Sequence, residues 1–257
     1  MSANICYNGY TLAFEDHFDG PRLNRDDWNV ELHDPGWVNE ELQQYVDSEE
    51  NICLQDSHLL IRPVRTVHAD GTVSYTSGRV TTQHKHDFIY GIFEARLKVP
   101  RGKGFLPAFW LMTTDEARYG QWPRCGEIDI MEVMGDKTRI NHGTIHFGLP
   151  HQQKQGTVTL TGSDFSEDFH MFALEWQPGV LRWYVDGKLF YETDSWFSAK
   201  EDGAKEDFPA PFNHGMYIIL NLAVGGSWVG YPDETTDFEH AVLAVDYVRV
   251  YQKEVRL

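Results

Sequence analysis

Hydrophobic and polar residues alternate with a period of two along much of this chain, and that alternation predicts β-strands. Residues 93–99 alternate without a break, which is typical of a strand with one buried face. Residues 181–185 and 188–191 flank Asp186-Gly187, a turn sequence that favours a tight hairpin. Residues 157–161 alternate between two glycines and are rich in β-branched side chains, which suits a short strand with one wet face.

Helical periodicity, in contrast, is hard to find. Residues 194–200 could form one or two helical turns at most, and the polar stretch 198–211 is expected to be a surface loop, because the segments on either side of it are both strand-like. Residues 242–251 are predicted to close the chain as a strand. Many short strands separated by glycine and proline predict an all-β fold, an antiparallel two-sheet β-sandwich of Greek-key or jelly-roll type. Because such sandwiches reach about 200–250 residues as one unit, we expect residues 1–257 to form a single domain.

The charge balance narrows the classes of partner. The chain has 22 Lys and Arg residues against 39 Asp and Glu residues, a formal net charge of −17. Nucleic-acid affinity depends on a surplus of basic residues, so a nucleic-acid partner is not expected. An anionic membrane surface is disfavoured for the same reason. Hydrophobic residues at 41 % and charged residues at 24 % are typical of a folded globular domain.

The cysteines and the first residues bear on compartment and cofactors. Three cysteines (Cys6, Cys53 and Cys125) are an odd number without CxxC spacing, which argues against a disulfide framework and a cysteine zinc site. Residues 1–20 lack the basic and then apolar pattern of a signal peptide, and no run of about 18 apolar residues occurs anywhere. The chain is therefore expected either to work inside the cell or to have lost a leader.

Aromatic residues make up 14 % of the chain, with 8 Trp and 12 Tyr. Tryptophan and tyrosine offer a flat apolar face with a polar edge, which suits the binding of a sugar ring. Trp37, Trp110, Trp122 and Trp228 all lie near glycine or proline, where strands end and loops line a cleft. Burial of each in the core is an equally open interpretation.

The segment with the most chemistry is residues 127–132, EIDIME. Glu127 and Asp129 are two apart and share one face of a strand, with isoleucines on the other face. Strict alternation would send Glu132 into the core, where an unpaired carboxylate is costly. A β-bulge near Met131 would return Glu132 to the face of the other two acids. The sequence therefore predicts three carboxylates along one strip of a cleft.

Crowded carboxylates repel, so the pKa of at least one is raised and it can stay protonated beside an ionised neighbour. A retaining glycosidase needs that arrangement, a nucleophile and a general acid/base with carboxyl groups about 5–5.5 Å apart. The glutamyl side chains would have to lean together across Asp129. Two alternatives stay open, a solvated strand face and a set of Ca²⁺ ligands, although a stiff strand wraps an ion less readily than a loop does.

The same segment resembles glycoside hydrolase family 16, specifically its laminarinase-like β-glucanases, whose motif is Glu-aliphatic-Asp-aliphatic-Met-Glu. The inserted methionine is the form associated with the laminarinase-like members. The resemblance extends over most of the chain, through residues 39–45, 77–80, 90–96, 107–111, 143–146, 212–228 and 245–251. It implies a jelly roll whose concave sheet forms an open cleft for a polysaccharide.

The resemblance also implies roles for individual residues. Glu127 would be the nucleophile, Glu132 the acid/base and Asp129 the residue that tunes the nucleophile. Sugar rings would stack on Trp110 and Trp122, and sugar hydroxyls would be bound by Asn39 and Arg79. His146 would sit close to the acid/base. Glu41 and Trp228 would also contact the substrate. An ordinary strand histidine is the alternative for His146.

No cofactor is implied for catalysis. The resemblance does imply a structural Ca²⁺, whose ligands would be the side chain of Asp246 and the backbone carbonyls of His17 and Ser57. Two departures from the family pattern, Leu106 and Glu40, touch the cleft and bear on subsite preference. The implied partner is a β-glucan polysaccharide or oligosaccharide, and we expect a monomer. The resemblance favours an extracellular protein, whereas the missing leader leaves a cytoplasmic one open.

The function expected from these observations is that of a retaining endo-β-glucanase. It would cleave β-1,3-glucosidic bonds, and β-1,3-1,4 mixed-linkage glucans, by double displacement. A strict mixed-linkage glucanase, a galactan-cleaving relative and a non-catalytic glucan-binding module are the alternatives. The presence of both Glu127 and Glu132 disfavours the last of these.

Overall fold

A computed structural model describes residues 3–199 and 204–253 of the chain. The described residues form strands, turns and irregular segments, and none of them is helical. No helix in this part of the chain could therefore span a membrane. The strands are β1 (Tyr10–Asp16), β2 (Asn29–Val30), β3 (Gln43–Tyr45), β4 (Ile52–Gln55), β5 (His58–Ile61), β6 (Val64–Val67), β7 (Val73–Ser77), β8 (Arg79–Thr81), β9 (Gly91–Lys98), β10 (Phe105–Thr113), β11 (Glu127–Glu132), β12 (Ile140–Phe147), β13 (Gln152–Thr159), β14 (His170–Gln177), β15 (Val180–Val185), β16 (Lys188–Thr193), β17 (Met216–Val224) and β18 (Leu243–Lys253).

Two antiparallel sheets make up the body of the fold. The cleft sheet has seven strands in the order β13-β12-β11-β10-β17-β8-β2. The back sheet has eight, in the order β16-β15-β14-β9-β18-β5-β4, with β1 added against β18. Neighbours in each sheet are often far apart in sequence, as expected for a jelly roll rather than a meander. The predicted all-β antiparallel sandwich is confirmed.

A small third sheet, β3-β7-β6, was not predicted. Within it β3 and β7 pair in parallel, because the chain between them passes through the β4–β5 hairpin of the back sheet before it returns. This sheet supports the cleft sheet, since Gln43 Oε1 accepts a hydrogen bond of 2.7 Å from the Val224 amide of β17. This small sheet is an addition to the predicted two-sheet sandwich.

The core lies between the two main sheets and is made of alternate residues from each strand. On β9 the inward residues Phe93, Ala95 and Leu97 are fully buried, as the unbroken alternation predicted. All nine residues of β17 are buried, because polar groups of other elements cover its outward face as well. Burying one large apolar side chain contributes about 1.5–3 kcal/mol, so these central strands dominate the stability of the sandwich.

Two paired glycines bring the cleft sheet close to the back sheet. Gly143 on β12 and Gly156 on β13 are Cα partners. A Cβ at Gly143 would lie 2.6 Å from the indole of Trp183, and one at Gly156 would lie 2.2 Å from the ring of Tyr191. Both rings belong to the back sheet, and Trp183 Nε1 donates a 2.8 Å hydrogen bond to the carbonyl of Asp129. The acidic strand is thereby fixed from below.

The predicted hairpin is confirmed. Asp186 and Gly187 connect β15 to β16 with φ angles of 49° and 74°, the left-handed conformation that such a two-residue turn requires. The predicted helical turns at residues 194–200 were wrong: residues 194–199 are irregular, and Lys200 lies outside the described residues. Of the stretch 198–211, the described part is not simply a surface loop, because Ser198 and Ala210 are buried.

Candidate active site

The acidic strand β11 follows Gly126, whose φ of +82° lets the chain turn sharply into the strand beneath Phe212. From Asp129 to Glu132 the strand contains one residue more than the matching stretches of β10 and β12. This is the predicted β-bulge. It returns Glu132 to the face of Glu127 and Asp129 and leaves Met131 fully buried.

The neighbouring strands show which residues share this face. On β10, Met112, Trp110 and Ala108 lie opposite Glu127, Asp129 and Glu132 respectively. On β12, the residues opposite the same three acids are His146, Thr144 and His142. The carboxylates therefore lie between a tryptophan-bearing strand and a strand whose outward side chains are two histidines and a threonine.

Glu127 has several groups around it that favour its ionised form. His146 Nε2 lies 3.8 Å from Glu127 Oε1, and Trp122 is another neighbour that favours the carboxylate. Burial first, and then the charge of Asp129, nevertheless raise the pKa of Glu127 to about 8, against the lowering effects of His146, Trp122 and Arg79. Glu127 is a carboxyl whose ionisation is opposed by burial and assisted by three neighbours.

His146 is held between the acids and a second histidine. Its Nε2 lies 3.4 Å from Asp129 Oδ2, and its Nδ1 lies 2.9 Å from Nε2 of His151. Burial alone would lower the pKa of His146, but contact with Asp129 and Glu127 outweighs burial and raises it. Trp122 packs near both histidine rings, with centroids 6.0 Å from His146 and 4.9 Å from His151. This group stabilises negative charge at the Glu127 end of the strip.

Glu132, at the other end, has less assistance. Burial, followed by the charges of Asp129 and Glu127, raises its pKa well above the ordinary value for glutamate, and a hydrogen bond with Thr144 opposes that rise. The Glu132 amide donates a 3.2 Å hydrogen bond to Asn141 Oδ1, which fixes the backbone after the bulge. The environment of Glu132 thus favours the protonated form.

His142 lies opposite Glu132 and lines the neighbouring part of the cleft. Its ring packs edge-on against Trp228, with centroids 5.2 Å apart. Its Nδ1 lies 3.2 Å from Gln155 Oε1 of β13. Burial lowers the pKa of His142, so the ring is neutral at pH 7. Trp228 itself is 44 % exposed, which leaves a face open to a ligand.

Trp110 is fixed from two sides. Its Nε1 donates a 2.7 Å hydrogen bond to Asn221 Oδ1, and the guanidinium of Arg79 lies 4.7 Å from the centroid of its ring. The same guanidinium lies 5.4 Å from the ring of Trp37 and is paired with Glu31 at 2.5 Å. Arg79 is buried, so it supports the aromatic wall and offers little of its surface to a hydroxyl group.

Asn39 and Glu41 belong to the loop before β3. Asn39 Nδ2 donates to Glu41 Oε1 at 3.3 Å, and Gln43 Nε2 donates to Glu41 Oε2 at 2.7 Å. Burial raises the pKa of Glu41 despite these donors. The Asn39 carbonyl accepts a 3.0 Å hydrogen bond from the Ser227 amide, so this loop is joined to the segment that carries Trp228.

The structure places these residues as follows. Glu127, Asp129, Glu132, Trp110, Trp122 and His146 lie together on or beside the cleft face of the acidic strand. Asn39, Glu41, Arg79 and Trp228 lie on elements that flank it. One position needs correction: the strand register places His142, not His146, opposite Glu132, and His146 lies beside Glu127.

Sequence reasoning missed four further residues of this region, His142, Thr144, His151 and Gln155. Thr144 and His142 follow from alternation along β12, since both are separated from His146 by even numbers of residues. Gln155 carried no local signal, because its place depends on how β13 pairs with β12.

Two groups of side chains are candidates for binding a metal ion. Ligand atoms of Glu127, Asp129 and His146 lie within 4.8 Å of one another, but a histidine with two carboxylates is not the oxygen-rich set that Ca²⁺ prefers. Asp246 on the back sheet pairs with Arg96, Oδ2 to Nη1 at 2.6 Å. Arg96 therefore already supplies a positive charge beside the Asp246 carboxylate.

The other two residues implied for that ion are close to the same sheet. Asp16, next to His17, pairs with Val248 on β18, and the ring of His17 lies 5.9 Å from that of Tyr247, beside Asp246. Ser57 lies in the turn between β4 and β5 with a φ of 56°. His17 and Ser57 therefore belong to the back sheet and not to the cleft sheet.

Comparisons with known proteins agree with this geometry. Residues 33–241 match the model of the family described as "Glycosyl hydrolases family 16". The chain is 39 % identical over 256 residues to a glucan endo-1,3-beta-glucosidase of Cryptopygus antarcticus, an alignment that covers 95 % of this chain and 93 % of that protein. It is 36 % identical to glucan endo-1,3-beta-glucosidase A1 of Niallia circulans, with 96 % of this chain aligned to only 38 % of that longer protein.

A solved structure has the same fold. SCLam, a non-specific endo-beta-1,3(4)-glucanase from family GH16, superposes with a TM-score of 0.84 at 33 % identity, and the match covers 98 % of this chain and 95 % of SCLam. A mutant of SCLam was crystallised with a 1,3-beta-D-cellobiosyl-glucose at its active site.

Proposed function

This chain belongs to glycosyl hydrolase family 16, and we propose that it is a retaining endo-β-glucanase that hydrolyses β-1,3-glucosidic bonds. One observation carries the proposal: two glutamates share a face of one bulged strand, and their surroundings differ. Glu127 has His146, Trp122 and Arg79 to favour its ionised form, whereas Glu132 has Thr144 alone among the groups that lower its pKa. A nucleophile and a proton donor require that inequality.

In the first step, the ionised form of Glu127, which His146, Trp122 and Arg79 favour against burial, attacks the anomeric carbon of the sugar whose glycosidic bond is cleaved. Glu132 transfers its proton to the glycosidic oxygen, so the departing sugar leaves as an alcohol. A covalent glycosyl ester on Glu127 results. Asp129, buried between the two, lies 3.4 Å from His146 Nε2 and contributes to the raised pKa of that histidine beside the nucleophile.

In the second step the ester is hydrolysed. Esterification removes the negative charge of Glu127, so the pKa of Glu132 falls and Glu132 becomes a competent base. It takes a proton from water, whose oxygen attacks the anomeric carbon and releases Glu127 as a carboxylate. Two inversions at one carbon give net retention.

Sugar binding is supported by the aromatic side chains around the strip. Trp37, Trp122 and Trp228 are 49 %, 46 % and 44 % exposed, although tryptophan in a folded chain is ordinarily well buried. Trp110 and Trp122 flank the carboxylates, while Asn39 and Glu41 supply polar groups at one side. We propose that these residues stack on and hydrogen-bond a glucan chain, and that Arg79 acts by supporting Trp110.

Mixed-linkage β-1,3-1,4-glucan is the second substrate that we propose, because the cleft elements leave exposed indoles on both sides of the strip rather than an enclosed pocket. An open, aromatic-lined site holds a sugar chain mainly by its ring faces, which differ little between the two linkages. Leu106 lies on the outward face of β10, two residues before Ala108, and is a position where linkage preference could be set.

The test is release of reducing sugar from laminarin, barley β-glucan and agar by the purified chain. We expect laminarin to be cleaved fastest, barley β-glucan more slowly and agar not at all. Glu127→Gln is the control and should release nothing above background. Cleavage of barley β-glucan alone would favour a strict mixed-linkage glucanase. Binding of laminarin without hydrolysis would favour a binding module and would contradict the proposal.

No cofactor is needed for these steps, since both proton transfer and nucleophilic attack come from side chains. A structural Ca²⁺ at Asp246 stays a prediction of the resemblance, and the ion pair with Arg96 argues against it. We expect equal melting temperatures in millimolar Ca²⁺ and in EGTA. A higher melting temperature in Ca²⁺ that Asp246→Asn abolishes would place the ion there. The single catalytic domain and the monomeric state likewise remain proposals.

A further inference from the structure

A buried histidine outside the acidic strand joins the two ends of the connection between β10 and β11. His214 lies two residues before β17 and is 2 % exposed. Its Nε2 lies 3.0 Å from the carbonyl oxygen of Cys125, and its Nδ1 lies 3.2 Å from the hydroxyl oxygen of Thr113. Thr113 is the last residue of β10, and Cys125 lies two residues before β11. One imidazole ring therefore closes the segment 114–126 at both ends.

The partners of this ring define where its hydrogen atom lies. A carbonyl oxygen can only accept, so Nε2 of His214 carries the hydrogen and donates it to Cys125. Burial lowers the pKa of His214, so the ring is neutral at pH 7 and Nδ1 is an acceptor. The Thr113 hydroxyl donates to Nδ1, and its oxygen accepts a 3.1 Å hydrogen bond from the Asp115 amide. Both ring nitrogens are thus satisfied in a single tautomer.

The middle of the connection is held by the same part of the chain. The ring of Tyr119 packs edge-on against that of His214, with centroids 5.0 Å apart. The Tyr119 hydroxyl donates a 2.5 Å hydrogen bond to Oδ1 of Asn213, the residue before His214. The segment 114–126 is therefore fixed at its start, its centre and its end by two consecutive residues.

The bond to Cys125 falls where the acidic strand could most easily change direction. Gly126 has a φ of +82°, and glycine has the widest choice of backbone conformations, so the direction of Glu127 depends on the peptide group before Gly126. That peptide group is held on both sides. Its carbonyl accepts from His214, and its N–H donates a 3.2 Å hydrogen bond to the carbonyl of Pro123.

Trp122 lies within the same turns. The Arg124 amide donates a 3.0 Å hydrogen bond to the carbonyl of Gln121, so a turn encloses Trp122 directly before the turn that ends at Gly126. The indole of Trp122 is 46 % exposed and packs beside His146 at the Glu127 end of the strip. A shift of these turns would therefore move an exposed ring of the cleft together with the start of the acidic strand.

We propose that His214 is a positioning residue that fixes the turns 121–126, and thereby sets both the direction of Glu127 and the place of the Trp122 indole. It reaches both through the backbone of the turns, from a buried place next to β17. The inference rests on the proposed function and extends it to a residue that belongs neither to the acidic strand nor to the exposed surface of the cleft.

The experiment compares two substitutions of His214 on a laminari-oligosaccharide of defined length. His214→Phe keeps a ring but removes both hydrogen bonds. Its kcat should fall by about 10–100-fold, since a misplacement of about 1 Å can cost that much, and its KM should rise. His214→Gln keeps an amide N–H that can reach the Cys125 carbonyl, so kcat and KM should return to near the wild-type values. No recovery in a folded His214→Gln would contradict the proposal.

Asn51 offers a matched control beside β4 of the back sheet. Like His214, it is buried, donates to a backbone carbonyl (Arg62, 2.9 Å) and accepts from a threonine hydroxyl (Thr76, 3.2 Å). Asn51→Leu should lower the denaturation midpoint, as His214→Phe should, but leave kcat and KM unchanged. An equal loss of kcat in Asn51→Leu would mean that destabilisation alone is the cause.

A Trp122→Ala background separates the two effects of His214. The KM effect of His214→Phe should disappear in that background, because it acts through the missing indole, whereas the kcat effect should persist, because it acts through Glu127. A KM effect of unchanged size in the Trp122→Ala protein would contradict the proposed link to Trp122.

A further readout does not need turnover. Amide hydrogen exchange of peptides covering residues 114–127 should be faster in His214→Phe, and to a smaller extent in Tyr119→Phe, than in wild type, His214→Gln and Asn51→Leu. If neither His214→Phe nor Tyr119→Phe changes this exchange, the positioning role is wrong. Failure of the proposed function would look different: the exchange would change as expected, but the wild-type protein would leave laminarin intact.

Discussion

Both main sheets bury carboxylates beneath their outward faces, but the two sheets neutralise them differently. On the back sheet, Glu94 is a hydrogen-bond acceptor for Tyr7 and lies 3.8 Å from Arg249 Nη1. Glu175 accepts from the hydroxyls of Tyr10 and Tyr184 at 3.1 and 3.2 Å, and further donors surround it. These acids have the partners that a folded protein ordinarily gives a buried carboxylate.

On the cleft sheet, three acids stand on one strand, and the ring nitrogen Nε2 of His146 lies within 4 Å of two of them. Their mutual repulsion adds to burial, which is why the pKa values of Glu127 and Glu132 both rise. Burial raises the pKa of Glu94 on the back sheet as well, so what distinguishes the cleft is that neighbouring carboxylates add to the effect of burial. Such a site is poised for proton transfer rather than for stability.

The largest expected effect comes from removing the nucleophile. Glu127→Gln keeps the shape of the side chain but cannot form a glycosyl ester, so kcat on laminarin should fall by at least about 10⁴-fold. Initial rates of reducing-sugar release measure it, with circular dichroism as the check on folding. If Glu127→Gln released sugar at the wild-type rate, Glu127 would not be the nucleophile, and the contrast between the cleft sheet and the back sheet would not explain catalysis.

Glu132→Gln should cost less, and the loss should depend on the substrate. On laminarin we expect a loss of about 10²–10⁴-fold, the usual contribution of a general acid. On an aryl β-glucoside oligomer with an acidic phenol as leaving group, the first step needs no proton donor, so a burst of phenol should survive while ester hydrolysis is slow. Equal losses on both substrates would contradict the assignment of Glu132 as proton donor.

The third effect is on stability, and its sign follows from the raised pKa of Glu127. Folding shifts this pKa from near 4.5 to about 8, so the folded state holds a proton that the unfolded chain releases. The stability due to this group is present below about pH 4.5 and is lost as the pH rises toward 8. Glu127→Gln, which resembles the protonated form, should match wild type near pH 4.5 and exceed it by about 4 kcal/mol at pH 8.

Chemical denaturation at pH 4.5, 6 and 8 measures this difference. Glu50→Gln, at an exposed glutamate, is the matched control and should show no trend with pH. A wild-type protein that gains stability over Glu127→Gln as the pH rises would mean that Glu127 is well paired, as the back-sheet acids are.

The smallest expected effect comes from a substitution on the back sheet. Tyr7→Phe removes a hydrogen-bond donor to the buried Glu94 and leaves the cleft untouched. The free energy of unfolding should fall by about 1–3 kcal/mol, the cost of an unsatisfied buried acceptor, while kcat/KM stays at the wild-type value. Denaturation and laminarin assays on one preparation give both numbers. A drop in kcat/KM without loss of stability would show that the two faces are not independent.

Much of the cleft could be predicted because its signals are local. The bulge at Met131 followed from the cost of burying Glu132, and the turn at Asp186-Gly187 followed from the φ angles that those residues tolerate. The four tryptophans set apart by nearby glycine or proline, Trp37, Trp110, Trp122 and Trp228, are all at least partly exposed. In each case a few adjacent residues contained the physical reason.

Features that depend on distant pairing were out of reach. Gln155 meets Thr144 only because β13 and β12 pair in one register, and Tyr7 meets Glu94 across 87 positions of sequence. The parallel pairing of β3 with β7 depends on a long excursion between them. His146 was assigned to the wrong glutamate for the same reason, since only the β11–β12 register shows that it lies opposite Glu127.

Labelling of the nucleophile tests the central claim most directly. A 2-deoxy-2-fluoro-β-glucosyl oligosaccharide with an activated leaving group should form a long-lived ester with the enzyme, because fluorine slows both steps whereas the activated leaving group speeds up only the first. Peptide mass spectrometry after digestion should find the sugar on Glu127. A label on Glu132, or rapid turnover of the reagent to the inverted anomer without any label, would contradict the account.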